Sequence, residues 1–369
     1  MLDLSAAARP QVGMTGSQRI SALTPIAQVL ARVASLARPV TPREMALADT
    51  EGRVLAEDIA VAAPWPAAPT ALLDGWAVRA EQTADAGPYA PLLLNPAPAW
   101  VDAGDALPRD TDAVLPPDAV TGDEVHASAT AGDGVLAASA DAKPGEPLRR
   151  AAQRLRAADI ATLQEVGVTR VMVREPRVRV VSVDADCAAL AIARGVAARG
   201  ANVVFVRALE RALAEEADAI IAVGGTGAGR GDQSVTLLAK AGRVDMYGFG
   251  LSPGEASALG SAGSQPVLML PGRLDGALAS FLVVGDALLR ALTGAPISPG
   301  MPVTLARKIV STVGLAEVVP VRRVAQGVEP LASGYWPMQA IARADGWVTV
   351  PPESEGFPAG VVIEMRAFP

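Results

Sequence analysis

From Arg177 to Val223 the chain repeatedly exchanges strand character for helix character, and that exchange constrains the fold more than any other feature of the sequence. Arg177 to Val183 is a β-branched run, Ala188 to Arg199 is Ala-rich and helix-like, and Ala201 to Val206 is apolar again. Ala208 to Ala217 then reads as a helix and Asp218 to Val223 as another buried strand. Strands separated by helices need crossover connections, which in one sheet are right-handed and parallel. The pattern therefore predicts a parallel sheet covered on both faces, within an α/β domain over residues 177–297. Ligands in such sheets sit beyond the carboxyl ends of the strands, so the turns after Val223 and Leu270 carry the functional interest.

Around this domain the periodicities are weaker. Residues 1–17 read as a loose tail. Ser21 to Arg38 places Ile26, Val29, Leu30, Val33 and Leu36 at helical spacing behind Thr24-Pro25, which predicts an amphipathic helix. Pro42 to Thr50 is expected to be a second, short helix, and Arg53 to Val61 an extended segment. Together 18–61 and 146–176, with a helix over Ala157 to Val166 ended by Gly167, form an elongated linker domain. Residues 62–145 are dense in Pro, Gly and Asp and read as an inserted β-rich module, and 298–369 as a terminal β-barrel without helical periodicity. The expected fold class is thus multidomain α/β plus β.

Composition closes several routes. One cysteine, Cys187, and one histidine, His126, cannot supply a tetrahedral zinc site, so any metal would be held by oxygen. A net charge of -7 opposes a phosphate-tracking surface, and nucleic acid is not expected as a partner. No stretch reaches the roughly 18 uninterrupted apolar residues of a spanning helix, and the beginning of the chain lacks an export pattern, which together suggest a cytoplasmic protein.

Two glycine-containing turns stand at the expected strand ends. Val223-Gly224-Gly225-Thr226-Gly227-Ala228-Gly229-Arg230-Gly231-Asp232 could cradle an anion at a helix N-terminus, or could be only a tight strand-to-helix turn. Arg230 stands where a dinucleotide fingerprint needs glycine, and there is no Gly-Lys-Ser/Thr, so neither nucleotide motif is met. Leu270-Pro271-Gly272 closes the second strand. Gly250-Leu251-Ser252-Pro253-Gly254 matches the letters of a nucleophile elbow, but the one histidine lies upstream, and a proline turn accounts for it better. Asp74, in Leu73-Asp74-Gly75-Trp76, is by itself a turn aspartate.

In order along the chain, Gly52 to Ile59, Leu73 to Arg79, Val101 to Pro108 with Asp112-Ala113-Val114, Val223 to Asp232, and Leu270-Pro271-Gly272 resemble the molybdopterin molybdotransferases (the MoeA family) and the gephyrin E domain. The resemblance spans residues 20 to 369. It implies an L-shaped homodimer that inserts molybdate into adenylylated molybdopterin, with Mg²⁺ and release of AMP. It further implies that Asp74, Asp186 and Asp232 are the catalytic acids, with Asp186 and Asp232 as metal ligands and Asp74 acting across the dimer. Gly224, Gly225, Thr226, Gly227, Ser252, Pro271, Gly272 and Arg273 would bind the substrate. The chain departs from the family pattern at Ser252-Pro253-Gly254-Glu255-Ala256, where a hydroxyl and a carboxylate replace two cations, and Arg230 and Arg273 are the cations that could compensate. The alternative is a non-catalytic paralogue that binds the cofactor or scaffolds a partner, such as another assembly protein or a molybdoenzyme. A nucleotide-dependent oxidoreductase is disfavoured by the failed fingerprint.

Overall fold

The computed structural model describes residues 18–368; the tail expected over 1–17 lies outside the described residues. The chain divides into two units, one formed by residues 18–57, 152–160 and 170–368, the other by 58–151 and 161–169.

The larger unit is built on a six-stranded sheet, in the spatial order Asn202–Val206, Arg177–Ser182, Ala219–Val223, Gln265–Leu270, Ala258–Ala262, Arg243–Tyr247. The first four strands are parallel, as the alternation of periodicities requires. The last two run antiparallel, so the all-parallel expectation is corrected. The reason is local: Ala262 pairs with Gln265 across a two-residue turn whose Gly263 has φ +59°, and so short a link can join only antiparallel neighbours.

Period-two alternation sorts the strand side chains onto two faces. Val178, Val180, Ile221, Val223, Leu268 and Leu270 join the cluster that also holds Val29 and Val33 of the helix Ile26–Leu36, Ile192 and Val196 of Asp186–Ala198, and Phe281 and Leu288. Val181, Ile220, Ala222, Val267 and Met269 pack with Leu209 and Leu213 and with Val235 and Leu238 of the helices Leu209–Ala214 and Ser234–Ala241. Each fully buried Val, Leu or Ile contributes about 1.5–3 kcal/mol, which outweighs the modest propensities of these short helices.

The 20-residue helix Leu274–Thr293 is long and apolar enough to cross a membrane, yet 72% of its apolar window is buried inside the protein, as befits a core helix. It contains a π-turn at Phe281–Gly285. The Phe281 ring is wedged between two glycines: a Cβ added at Gly195 would lie 2.6 Å from it, and one at Gly285 2.4 Å. One turn on, Asp286 accepts hydrogen bonds from Arg199 (2.8 Å) and Arg290 (2.9 Å). Burial pushes the Asp286 carboxyl upward, but the two guanidiniums more than offset it and hold it below the usual aspartate range. A depressed folded-state value stabilises the protein above the unfolded pKa and ceases to as pH falls through the folded one. Acid titration of stability should therefore show a loss below about pH 4 that is smaller in Asp286→Asn. Equal acid slopes in the two proteins would contradict this.

The segment after residue 300 forms strands that share a sheet with Phe249–Ser252 and Thr24–Pro25, in the order Thr24–Pro25, Phe249–Ser252, Ala316–Val324, Gly346–Val350, Val362–Ala367, Met301–Thr304. The strand Gly327–Pro330 pairs with Ala316–Val324, and a single bridge, Leu305 to Val328, links it to the residue after the first terminal strand. A helix, Met338–Arg343, interrupts a stretch whose sequence shows no helical periodicity. The expected helix over Pro42 to Thr50 is instead the strand Arg43–Ala46 and one 3-10 turn, Leu47–Asp49. Here the partner decides, because Arg43 to Ala46 pairs with Arg170–Val173 in an antiparallel ladder.

The smaller unit consists of short antiparallel pairs, the largest group being Ala99–Val101, Gly75–Val78 and Ala113–Leu115. Trp76 and Trp100 meet edge to face at 5.2 Å. Gly75 admits no side chain, since a Cβ there would lie 2.0 Å from the Leu115 carbonyl oxygen.

Candidate active site at the strand ends

Three adjacent parallel strands end level with one another. Val183 N–H donates to the Val223 carbonyl at 2.8 Å and Gly224 N–H to the Leu270 carbonyl at 2.9 Å. Beyond that row the turns touch. A Cβ on Gly224 would lie 1.9 Å from the Val183 carbonyl oxygen, and one on Gly272 would lie 3.4 Å from Gly224 Cα. Gly224 and Gly225 take φ values of +103° and +66°, and Asp184 one of +53°. Glycine is thus required at 224 both sterically and conformationally. The two glycine turns singled out in the sequence stand side by side at the carboxyl ends of the sheet.

The loop 224–232 is held largely by side chains that reach its backbone. Ser234 Oγ donates to Gly224 O (2.9 Å), Ser234 N–H to Gly225 O (3.0 Å), and Tyr247 Oη–H to Thr226 O (2.8 Å). Burial, followed by the charge of Asp232, pushes the Tyr247 phenol upward. Asp232 turns back into the loop and accepts the Gly229 N–H at 2.9 Å. Thr226 is 1% exposed and its Oγ1 has no hydrogen-bond partner among the described residues. An oxygen-rich group entering the loop would find a donor there.

Ser252, Pro271 and Arg273 line one pocket of about 370 Å³ with Pro253, Glu255, Asp275 and Tyr335. Arg273 reaches Asp275 with both Nε (3.2 Å) and a terminal nitrogen (2.5 Å) and lies over the Tyr335 ring at 5.0 Å. The hydrogen bond to Asp275 comes first among the causes that push the guanidinium pKa upward, and Glu255 adds to it. Asp275 is 3% exposed and also accepts the Gly276 N–H at 2.8 Å. Glu317, buried, accepts from Ser333 Oγ (2.6 Å) and Gly334 N–H (2.7 Å), and so fixes the turn that carries Tyr335. Glu255 is itself engaged by the Gly254 N–H at 3.0 Å.

Asp186 opens its helix at the end of the neighbouring strand. It accepts from Ser182 Oγ at 2.6 Å and from Arg207 at 3.1 Å, and these two contacts, Ser182 first, hold its carboxyl below the usual range. Among the described residues no three His, Cys, Asp or Glu side chains stand together as a metal cluster, and the ligand pair expected at Asp186 and Asp232 is committed to Arg207 and to Gly229. Asp74 belongs to the smaller unit. It precedes the strand Gly75–Val78, is exposed, and accepts the Ala103 N–H at 2.7 Å.

Arg207, Tyr247, Tyr335 and Glu317 have no place in the sequence motifs. Arg207 could have been noticed as the cation directly after an apolar run, at a strand's carboxyl end. Nothing in the local sequence marks the other three.

The family described as "MoeA N-terminal region (domain I and II)" matches residues 24–167, and that described as "Probable molybdopterin binding domain" matches residues 191–291. The chain belongs to the MoeA family. This MoeA-family chain is similar to Molybdopterin molybdenumtransferase 1 of Mycobacterium tuberculosis, 26% identical over 72% of this chain and 77% of that protein. It is also 27% identical to Molybdopterin molybdenumtransferase 2 of the same organism, over 72% of this chain and 78% of the relative. A crystal structure of a molybdopterin biosynthesis MoeA protein from Pyrococcus horikoshii superposes with a TM-score of 0.73 at 19% identity, covering 94% of this chain and 100% of that one, and shows that the fold is shared.

Proposed function

We propose that this MoeA-family chain acts in molybdenum cofactor biosynthesis by binding adenylylated molybdopterin and molybdate at the glycine-lined strand ends, inserting the metal with release of AMP. The observation that carries the proposal is the contact of the turns at Gly224 and Gly272 beside the pocket that holds Arg273. A phosphate-bearing ligand needs close backbone approach, which only side-chain-free positions permit, and a cation nearby. Gly224, Gly225, Thr226 and Gly227 supply the loop. Arg273 supplies charge at the pocket, and Arg207 supplies it at the adjoining strand end. Pro271, Gly272 and Ser252 form the rim. Asp232 and Asp186 are the acidic groups, and the chain works as a cytoplasmic homodimer to which Asp74 of a second copy contributes.

Magnesium does not fit the carboxylates as they stand. Asp186 would have to leave Arg207, and Asp232 would have to leave Gly229, before either could ligate the ion. The same two engagements favour a second reading, a non-catalytic relative that binds the ligand without hydrolysing the adenylate. Calorimetry with adenylylated molybdopterin and with molybdate, followed by assay of AMP, separates the two. Heat with AMP release is expected; heat without AMP would leave only the binding role, and neither would remove both. In the active protein, Asp74→Ala should lower AMP release by about 100-fold or more without weakening the fold, because an exposed turn carboxylate contributes little to stability. Unchanged turnover would remove Asp74 from the site.

A further inference from the structure

The geometry points to Gln18 as the positioning residue of the glycine loop, an inference that rests on the proposed function for its ligand but not for its geometry. Gln18 is 9% exposed, and both its amide donor hydrogens and its carbonyl oxygen are engaged. Nε2 donates to the carbonyls of Gly225 (2.7 Å) and Gly227 (2.9 Å), and Oε1 accepts the Val235 N–H (3.2 Å). One side chain thus closes the loop on both sides of Thr226 and takes up one of the first free N–H groups of the helix Ser234–Ala241.

Few side chains can do this. Two acceptors and one donor must be met by one group, which excludes carboxylates, having no donor, and lysine, having no acceptor; asparagine is one carbon shorter. The residues after Gln18 tie the same segment to the other wall. Gly248 lies so close that a Cβ there would meet Ile20 Cγ2 at 2.5 Å, and Thr24 N–H donates to Gly248 O at 2.9 Å. Thr24 and Pro25 then pair in parallel with Phe249 and Gly250, on the strand that leads into Ser252 of the pocket. A loop of four glycines between 224 and 229 has high conformational entropy when free, so an external clamp is what holds it ready for a ligand.

The test compares the full chain with Gln18→Met, which keeps the length and removes the amide, and Gln18→Glu, which sets a second carboxylate oxygen against two carbonyls. Amide hydrogen exchange without ligand reads the clamp, and calorimetry with adenylylated molybdopterin reads its consequence. Exchange at Val235 and through 225–229 should accelerate about tenfold in Gln18→Met and at least as much in Gln18→Glu, with affinity lowered by a similar factor. Wild-type exchange in Gln18→Met would overturn the proposal, as would faster exchange spread evenly over the sheet, the mark of general stabilisation. Accelerated loop exchange with unchanged affinity would overturn it too. Should the wild-type protein bind no adenylylated molybdopterin, the proposed function fails, while the exchange contrast still decides whether Gln18 holds the loop.

Discussion

Gly224→Ala should cost about 4 kcal/mol of stability and abolish ligand binding at the strand ends. Two penalties coincide at this residue. Its φ of +103° is strained for any side chain, and a methyl group would lie 1.9 Å from the Val183 carbonyl oxygen, a backbone atom that can move only if the strand end moves. The displaced turn would also part the contact with Gly272 on which the site depends. Gly231→Ala is the matched control, since a Cβ there meets nothing within 4 Å, and its effect should stay within about 0.5 kcal/mol. Urea midpoints at constant slope measure both. Equal midpoints for the two variants would show that the turn at 224 is not a tight junction.

Asp275→Ala comes next, with an expected loss of about 3 kcal/mol and a collapse of the Arg273 pocket. The carboxylate is 3% exposed and satisfies the Gly276 N–H while pairing twice with Arg273. Removing it strips a buried donor of its partner and releases a guanidinium that is otherwise held over Tyr335. Asp275→Asn separates the contributions, because it retains an acceptor for Gly276 but loses the charge. If the stability of Asp275→Asn approaches that of the wild type while ligand affinity falls, Asp275 serves chiefly to aim Arg273. If Asp275→Ala is as stable as the wild type, the carboxylate is not the anchor its burial implies.

The strand–helix alternation and the turn-rich character of the segment after Val61 are legible in the sequence because each depends on short-range patterns. Pro, Gly and Asp density marks turns, and β-branched runs alternating with helical ones mark crossovers. Failures fall where a distant partner outweighs local preference. Arg43 to Ala46 reads as helical in isolation but is drawn into a ladder with Arg170–Val173. Met338–Arg343 folds as a helix without a clear periodic signal.

By itself the sequence determined the alternation of strands and helices and the glycines at two strand ends, since periodicity and turn chemistry are written into neighbouring residues, while the family was carried by the order of five motifs along the chain. Only the tertiary structure decided which charges those ends would face. Asp186 is neutralised by Arg207, 21 positions away, and Arg273 is held by an aspartate that the fold buries. Gln18 clamps a loop 207 positions downstream. Such pairings arise from which side chains the packed sheet brings within hydrogen-bond reach, and no local pattern encodes them.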